Sequence, residues 1–102
     1  MNPYFFQGKL SALPGQQNAL ADILLEAAEL MRGVSACKLY AVGIAPEDKR
    51  SVYVSEVWDS MQAHDEALKA DEVRALIAQA MPLLSEAPVK GLSLTLLGGK
   101  GI

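Results

Sequence analysis

The order in which two hydrophobic periods follow each other along the 102 residues is the strongest constraint on the fold. A period of two predicts strands, whereas apolar residues spaced three and four apart predict helices with one buried face. The periods predict strands at residues 3–13, 36–44, 51–58 and 89–97, and helices at residues 16–32, 60–70 and 71–84. The resulting order, β-α-β-β-α(α)-β, is that of a ferredoxin-like α+β fold with a four-stranded antiparallel sheet.

Polar residues and a proline predict where the second and third helices begin and end. Asp59 or Ser60 can cap the second helix, and Gln62 would complete a capping box if Asp59 is the cap. Asp71 can cap the third helix, and Pro82 is expected to disturb its last turn.

Length, charge and composition restrict what the chain can do. Residues 1–102 have room for one core, so we predict a single domain with residues 98–102 as a flexible tail. A net charge of -3 offers no positive field to phosphate groups, so we expect neither nucleic acid nor a membrane as partner. One cysteine and one histidine can form neither a disulfide nor a Cys/His metal cluster, and we expect a cytoplasmic protein.

The hydrophobic content predicts that a second copy of the chain covers one face of the sheet. Hydrophobic residues make up 51% of the chain, slightly more than one small core needs. Helices on one face of the sheet leave the other face uncovered. Residues 4–6 are all aromatic, so at least one of them points to the uncovered face whichever set of alternate residues faces it. Strand two adds either Leu39, or Tyr40 with Val42. We therefore predict a homodimer through the helix-free sheet face, with an enclosed cavity.

His64 is the first candidate for chemistry, because it is the one side chain whose ordinary pKa lies near neutrality. Helical spacing puts it beside Met61 and Leu68, so it is expected to point inward. The residues alone leave two interpretations open: a core or interface histidine satisfied by one hydrogen bond, and a catalytic base.

Trp58 ends the third strand, with Glu56 and Val54 on the same strand face. A tryptophan at this place is commonly part of the core. Glu56 can orient a histidine or accept a substrate hydroxyl, or it can be an edge carboxylate paired with lysine or arginine. Tyr40 and Tyr53 are further candidates for lining a pocket, although tyrosines in half-buried strands often serve packing alone.

Residues 56–64, EVWDSMQAH, resemble the E-x-W…A-H signature of the antibiotic biosynthesis monooxygenase family. Residues 8–15, 37–40 and 82–84 are similar to the quinol monooxygenase branch of that family. The resemblance covers nearly the whole chain.

The resemblance implies a dimeric α+β barrel that oxidises phenolic, quinol or polycyclic aromatic substrates with molecular oxygen. It implies no bound metal, flavin or haem, because the electrons come from the deprotonated substrate. The protein must then supply a base, a dry pocket and orientation. The resemblance assigns the base or hydrogen-bonding role to His64 and a stacking wall to Trp58. Together with the analysis of the strands, this makes Glu56, Val54, Tyr40 and Tyr53 the candidates for binding the substrate.

Three positions depart from particular branches of the family. An antibiotic-tailoring branch has asparagine and tyrosine where this chain has Val54 and His64, so that branch's detailed mechanism is not expected here. Haem-degrading relatives have their axial histidine where this chain has Leu68, which argues against haem.

Three hypotheses about function follow from the sequence, and the first two belong to different classes. The first is a cofactor-independent monooxygenase, and the alternative is a non-catalytic dimer that binds or senses a small hydrophobic molecule. Isomerisation of a related ring compound is a third, weaker hypothesis, since the same base would serve it.

Overall fold

The computed structural model describes residues 2–102, apart from the side chain of Lys90. The elements in chain order are β1 Tyr4–Ser11, α1 Gln17–Met31, β2 Cys37–Gly43, β3 Ser51–Trp58, α2 Met61–Ala67, α3 Asp71–Ala80, a 3-10 turn Met81–Leu83 and β4 Val89–Thr95. The strands form one antiparallel sheet in the order β2-β3-β1-β4. The prediction of a ferredoxin-like α+β fold is confirmed. None of the helices in the described residues is long and apolar enough to cross a membrane.

The caps of α2 and α3 differ in how well the sequence predicted them. Ser60, rather than Asp59, caps α2, and its hydroxyl accepts a hydrogen bond from the backbone N–H of Ala63 over 3.0 Å. The prediction that Asp71 caps α3 is wrong: Ala70 occupies the cap position, and Asp71 is the first helical residue. A carboxylate in the first turn still interacts favourably with the positive end of the helix dipole.

The last helix and the last strand are shorter than predicted. Helix α3 ends at Ala80, and Pro82 lies in the 3-10 turn that follows, because its ring cannot donate the next helical hydrogen bond. Strand β4 ends at Thr95, two residues before the predicted end.

The pairing of β1 with β3 determines which residues face the helices. Tyr4 lies opposite Trp58 and Phe6 opposite Glu56, so these four residues share one face of the sheet. This face packs against α1 and α3, whose buried residues complete two core clusters. One cluster contains Ala12, Leu20, Val52 and Ala80, and the other contains Met31, Trp58 and Val73.

A register shift in β2 changes the predicted alternation of that strand. Cys37 pairs with Trp58, whereas Leu39 pairs with Val57, so an irregularity separates Cys37 from the rest of the strand. The shift brings Cys37 to the helix-facing side together with Tyr40. Leu39 is left on the helix-free side. Of the two alternatives that the sequence left open, Leu39 rather than Tyr40 with Val42 therefore lies on that face.

A second register shift, at Gly91, aligns the apolar residues of β4. A Cβ atom on Gly91 would lie 3.0 Å from the carbonyl oxygen of Gln7, so any other residue here would push the two backbones apart. The extra residue places Val89, Leu92 and Leu94 all on the helix-free side, where each is 42–48% exposed.

The helix-free face carries one continuous apolar row across all four strands. Leu39 pairs with Val57, Val57 with Phe5, and Phe5 with Leu94. Leu39 and Leu94 are 47% and 42% exposed at the two ends of the row. No helix of the described residues packs against this face.

Candidate functional site

A cavity of about 350 Å³ lies between the sheet and its helices. Its wall is predominantly apolar and is formed by α1, α3 and the central strands, with Leu24, Ala27, Leu76 and Ala80 among the lining residues. This volume is typical of a site for a small organic ligand. Three polar side chains line it as well: Tyr40, Glu56 and His64.

Glu56 is a buried carboxylate at the centre of this wall. It is 6% exposed, and its Oε1 accepts a hydrogen bond from the indole Nε1 of Trp58 over 2.9 Å. Burial raises the pKa of the Glu56 carboxyl, against the lowering effects of the Trp58 hydrogen bond and the charge of His64. Within the described residues no lysine or arginine pairs with Glu56. The interpretation of Glu56 as an edge carboxylate in an ion pair is therefore wrong.

Trp58 contributes to the site mainly through its indole N–H group and little through the face of its ring. The residue is 1% exposed and packs in the core with Met31 and Val73. Little of the indole is therefore left for a ligand to stack on, although an edge of the residue lines the cavity. The hydrogen bond to Glu56 is the contact through which Trp58 acts on the polar part of the cavity.

His64 lies on α2 with its ring between two carboxylates. Nε2 is 3.8 Å from Oε1 of Glu56, and Nδ1 is 3.0 Å from Oδ1 of Asp65. The His64 side chain is 12% exposed, whereas that of Asp65 is 60% exposed. The inward orientation that helical spacing predicted is the one observed.

Aromatic side chains hold the His64 ring in place. Its centroid is 5.3 Å from that of Phe6, 5.6 Å from that of Trp58 and 5.8 Å from that of Tyr4. The Trp58 contact is edge-to-face, with an angle of 82° between the planes. Contacts on several sides restrict how the imidazole can rotate.

Tyr40 lies directly across the sheet from Glu56 and lines the same cavity. Burial raises the pKa of the Tyr40 phenol, and the charges of Glu56 and Cys37 raise it further, so the phenol stays neutral. A neutral phenol in this position can donate to an oxygen atom of a ligand.

Neither Val54 nor Tyr53 lines the cavity. Val54 lines a neighbouring, more open hollow of about 390 Å³, which Phe6 and His64 also line. Tyr53 pairs with Lys9 on the helix-free face, so the prediction that it lines the pocket is wrong. Adjacent strand residues point to opposite faces, and Val54 faces the helices.

The sequence missed two neighbours of His64. Asp65 gives no signal in the pattern, because consecutive helical residues normally point in different directions. Phe6 is part of the aromatic run at residues 4–6, and only the pairing with Glu56 shows that it faces the cavity. Within the described residues, no group of three His, Cys, Asp or Glu side chains is placed to hold a metal ion.

Comparisons with known proteins agree on one family. The sequence model of the family described as antibiotic biosynthesis monooxygenase matches residues 3–79. A proposed antibiotic biosynthesis monooxygenase from Chloroflexus aurantiacus J-10-fl is 32% identical, with a TM-score of 0.81 and 95% of each chain covered. A comparison with curated proteins gives no significant match.

More distant structures share the fold. A proposed antibiotic biosynthesis monooxygenase from Nitrosomonas europaea has a TM-score of 0.87 at 10% identity, covering 94% of this chain and 91% of its own. A proposed member from Caulobacter crescentus CB15 has a TM-score of 0.85 at 20% identity, covering 95% of this chain and 92% of its own.

Proposed function

Because the chain belongs to the antibiotic biosynthesis monooxygenase family, we propose that it oxidises a quinol, phenol or polycyclic aromatic substrate with molecular oxygen. Membership supports a monooxygenase-type activity in general. The substrate class and the lack of a bound cofactor are the proposal. The observation that carries it is the placement of a buried carboxylate and an imidazole on one wall of an apolar cavity.

The cavity meets the physical requirements of such a reaction. An apolar wall excludes water from the reactive phenolate and accommodates a flat aromatic ring. Tyr40 can donate to one substrate oxygen, while Glu56 accepts from a substrate hydroxyl. Nε2 of His64 takes the proton of the hydroxyl that reacts, as a general base, whereas Glu56 accepts from a second hydroxyl where the substrate has one.

The reaction balances without a further reductant. A phenol with a free para position and one O₂ give a para-quinone and one water. Loss of the hydroxyl proton to His64 lets the phenolate pass one electron to O₂, and the resulting radical pair combines in a carbon–oxygen bond. His64 returns its proton to the peroxide. Loss of the ring proton then breaks the O–O bond, and the second oxygen leaves as water.

A homodimer through the helix-free sheet face is part of the proposal. The row formed by Leu39, Val57, Phe5 and Leu94 supports it, because its two ends, Leu39 and Leu94, are 47% and 42% exposed in the single chain. Val89 and Leu92 extend the apolar surface along β4. A sheet-to-sheet contact with a second copy would remove this surface from water.

Oxygen uptake with a panel of benzene-, naphthalene- and anthracene-derived phenols and quinols tests the proposal. We expect consumption above the background rate with the wild type and a loss of about 100-fold or more with His64→Ala. Gln62→Ala is the matched control, since Gln62 is exposed on the same helix. Background rates for both wild type and His64→Ala across the panel would refute the proposal.

Non-catalytic binding of a small hydrophobic molecule is the second candidate function. The observation that favours it is the separation of 3.8 Å between His64 and Glu56, which leaves the two groups unbonded in a largely apolar cavity. Tight binding of an aromatic ligand without oxygen consumption would favour this candidate over the monooxygenase.

A further inference from the structure

The contact between His64 and Asp65 determines which nitrogen of the imidazole carries the proton. Nδ1 of His64 lies 3.0 Å from Oδ1 of Asp65, a hydrogen-bond distance. The Asp65 side chain is 60% exposed, and an ionised carboxylate can only accept hydrogen bonds. Nδ1 must therefore carry a hydrogen. A neutral imidazole has one N–H, so Nε2 has a free lone pair.

The free lone pair of His64 is on the cavity side of the ring. The nearest carboxylate oxygen to Nε2 is Oε1 of Glu56, at 3.8 Å, which is too far for a direct hydrogen bond. His64 and Glu56 both line the cavity. An unoccupied Nε2 lone pair beside a substrate is what a general base needs.

We propose that Asp65 is a positioning residue that holds His64 in the Nδ1–H tautomer and so makes Nε2 the proton acceptor of the cavity. Asp65 itself lines the neighbouring hollow of about 390 Å³, not the cavity, so it acts on the substrate through the imidazole. The aromatic contacts restrict the ring, and the hydrogen bond to Asp65 selects its protonation pattern. The role in catalysis rests on the proposed monooxygenase function, whereas the tautomer does not.

The same arrangement stabilises the charge that forms on the ring. When Nε2 takes the substrate proton, the imidazolium lies between Asp65 at 3.0 Å and Glu56 at 3.8 Å. Attraction to the Asp65 carboxylate lowers the energy of the charged ring, and Glu56 adds to this attraction in its ionised form. The proton returns from Nε2 to the peroxide later in the reaction, so no net proton leaves the site.

Nitrogen-15 NMR of the imidazole tests the tautomer without any turnover. The chain has one histidine, so ¹⁵N-histidine labelling of a protein purified with a histidine-free tag gives the signals of a single ring. We expect the Nδ1–H tautomer in the neutral wild type and a shift toward Nε2–H in Asp65→Ala. An Nε2–H wild type, or an unchanged tautomer in Asp65→Ala, would overturn the proposal.

Glu66→Ala is the matched control. Glu66 is an exposed carboxylate on the same helix, and it bonds to Lys69 rather than to His64. We expect its histidine spectrum to match the wild type. A tautomer shift in Glu66→Ala equal to that in Asp65→Ala would mean a general charge effect and would overturn the proposal.

Kinetic measurements on Asp65→Ala distinguish a failure of the positioning role from a failure of the proposed function. With a substrate that the wild type oxidises, we expect Asp65→Ala to lower kcat by about tenfold or more and to leave KM unchanged. A wild type with the Nδ1–H tautomer and no turnover would refute the function alone. Turnover with an unchanged kcat in Asp65→Ala would refute the positioning role alone.

Discussion

The indole Nε1 of Trp58 donates a hydrogen bond of 2.9 Å to Oε1 of Glu56, two residues earlier on the same strand face. Both side chains are buried, at 1% and 6% exposure. The tryptophan thus supplies the hydrogen bond that a buried carboxylate requires, and it fixes the carboxylate beside the cavity.

Replacing the indole tests how much this bond stabilises the fold. We expect Trp58→Phe to lower the free energy of unfolding by about 2–4 kcal/mol, because the variant loses ring volume and leaves a buried acceptor unsatisfied. Urea unfolding followed by circular dichroism measures the change. In a double variant with Glu56→Leu the loss attributable to Trp58→Phe should be smaller. An equal loss in both backgrounds would contradict a coupling between the two residues.

The raised pKa of Glu56 predicts a specific pH dependence of stability. A carboxyl whose folded pKa lies above its unfolded value disfavours its charged form in the folded state. Its stabilising contribution is therefore complete below the unfolded pKa, which is near 4.5, and is lost as the pH rises through the folded pKa.

Glu56→Gln isolates this effect, since an amide oxygen can still accept from the indole. We expect Glu56→Gln to gain stability relative to the wild type between pH 4.5 and pH 8, measured by urea unfolding at each pH. Subtracting the two proteins cancels the other titrating groups. A relative loss of stability by the variant over this range would show that the folded pKa is lowered.

Filling the cavity should prevent ligand binding while sparing the fold. Ala27 lines the cavity from α1, so a leucine there would occupy ligand space. We expect Ala27→Leu to weaken binding of 1-naphthol, titrated under nitrogen through the fluorescence of the lone tryptophan, by about tenfold or more. Ala19→Leu is the control, because Ala19 is exposed on the same helix. Equal weakening in both variants would place the ligand elsewhere.

The apolar row on the helix-free face predicts the oligomeric state. We expect the wild type to elute with twice the chain mass of 10.9 kDa in light-scattering chromatography. Leu94→Lys should dissociate it, because the substitution places an ammonium group at the end of the row. Leu25→Lys, on an exposed position of α1, should stay dimeric. A monomeric wild type would contradict the proposed interface.

Much of the fold was predictable because its signals are local. Strand β3 begins at Ser51 and ends at Trp58, as its hydrophobic pattern predicts, and the shared face of Val54, Glu56 and Trp58 follows from strand alternation. The same alternation places Tyr53 on the opposite face. The wrong prediction that Tyr53 lines the pocket could therefore have been avoided from the sequence alone.

The remaining features depend on contacts that no local pattern contains. The shift after Cys37 and the shift at Gly91 each insert an irregularity that a strict period of two cannot reveal. The bond from His64 to Asp65 joins consecutive residues and depends on the rotation of one ring between aromatic neighbours. The burial of Trp58 likewise results from packing against Met31 and Val73, which lie on separate helices.

Transfer of labelled oxygen tests whether an aromatic substrate is oxygenated in the cavity beside Glu56 and His64. The measurement is mass spectrometry of the product formed under ¹⁸O₂ from the phenol that gives the fastest oxygen uptake. We expect one ¹⁸O atom in each quinone molecule, at a rate that His64→Ala lowers by about 100-fold or more. Unlabelled quinone accompanied by hydrogen peroxide, or equal labelling rates in wild type and His64→Ala, would contradict it.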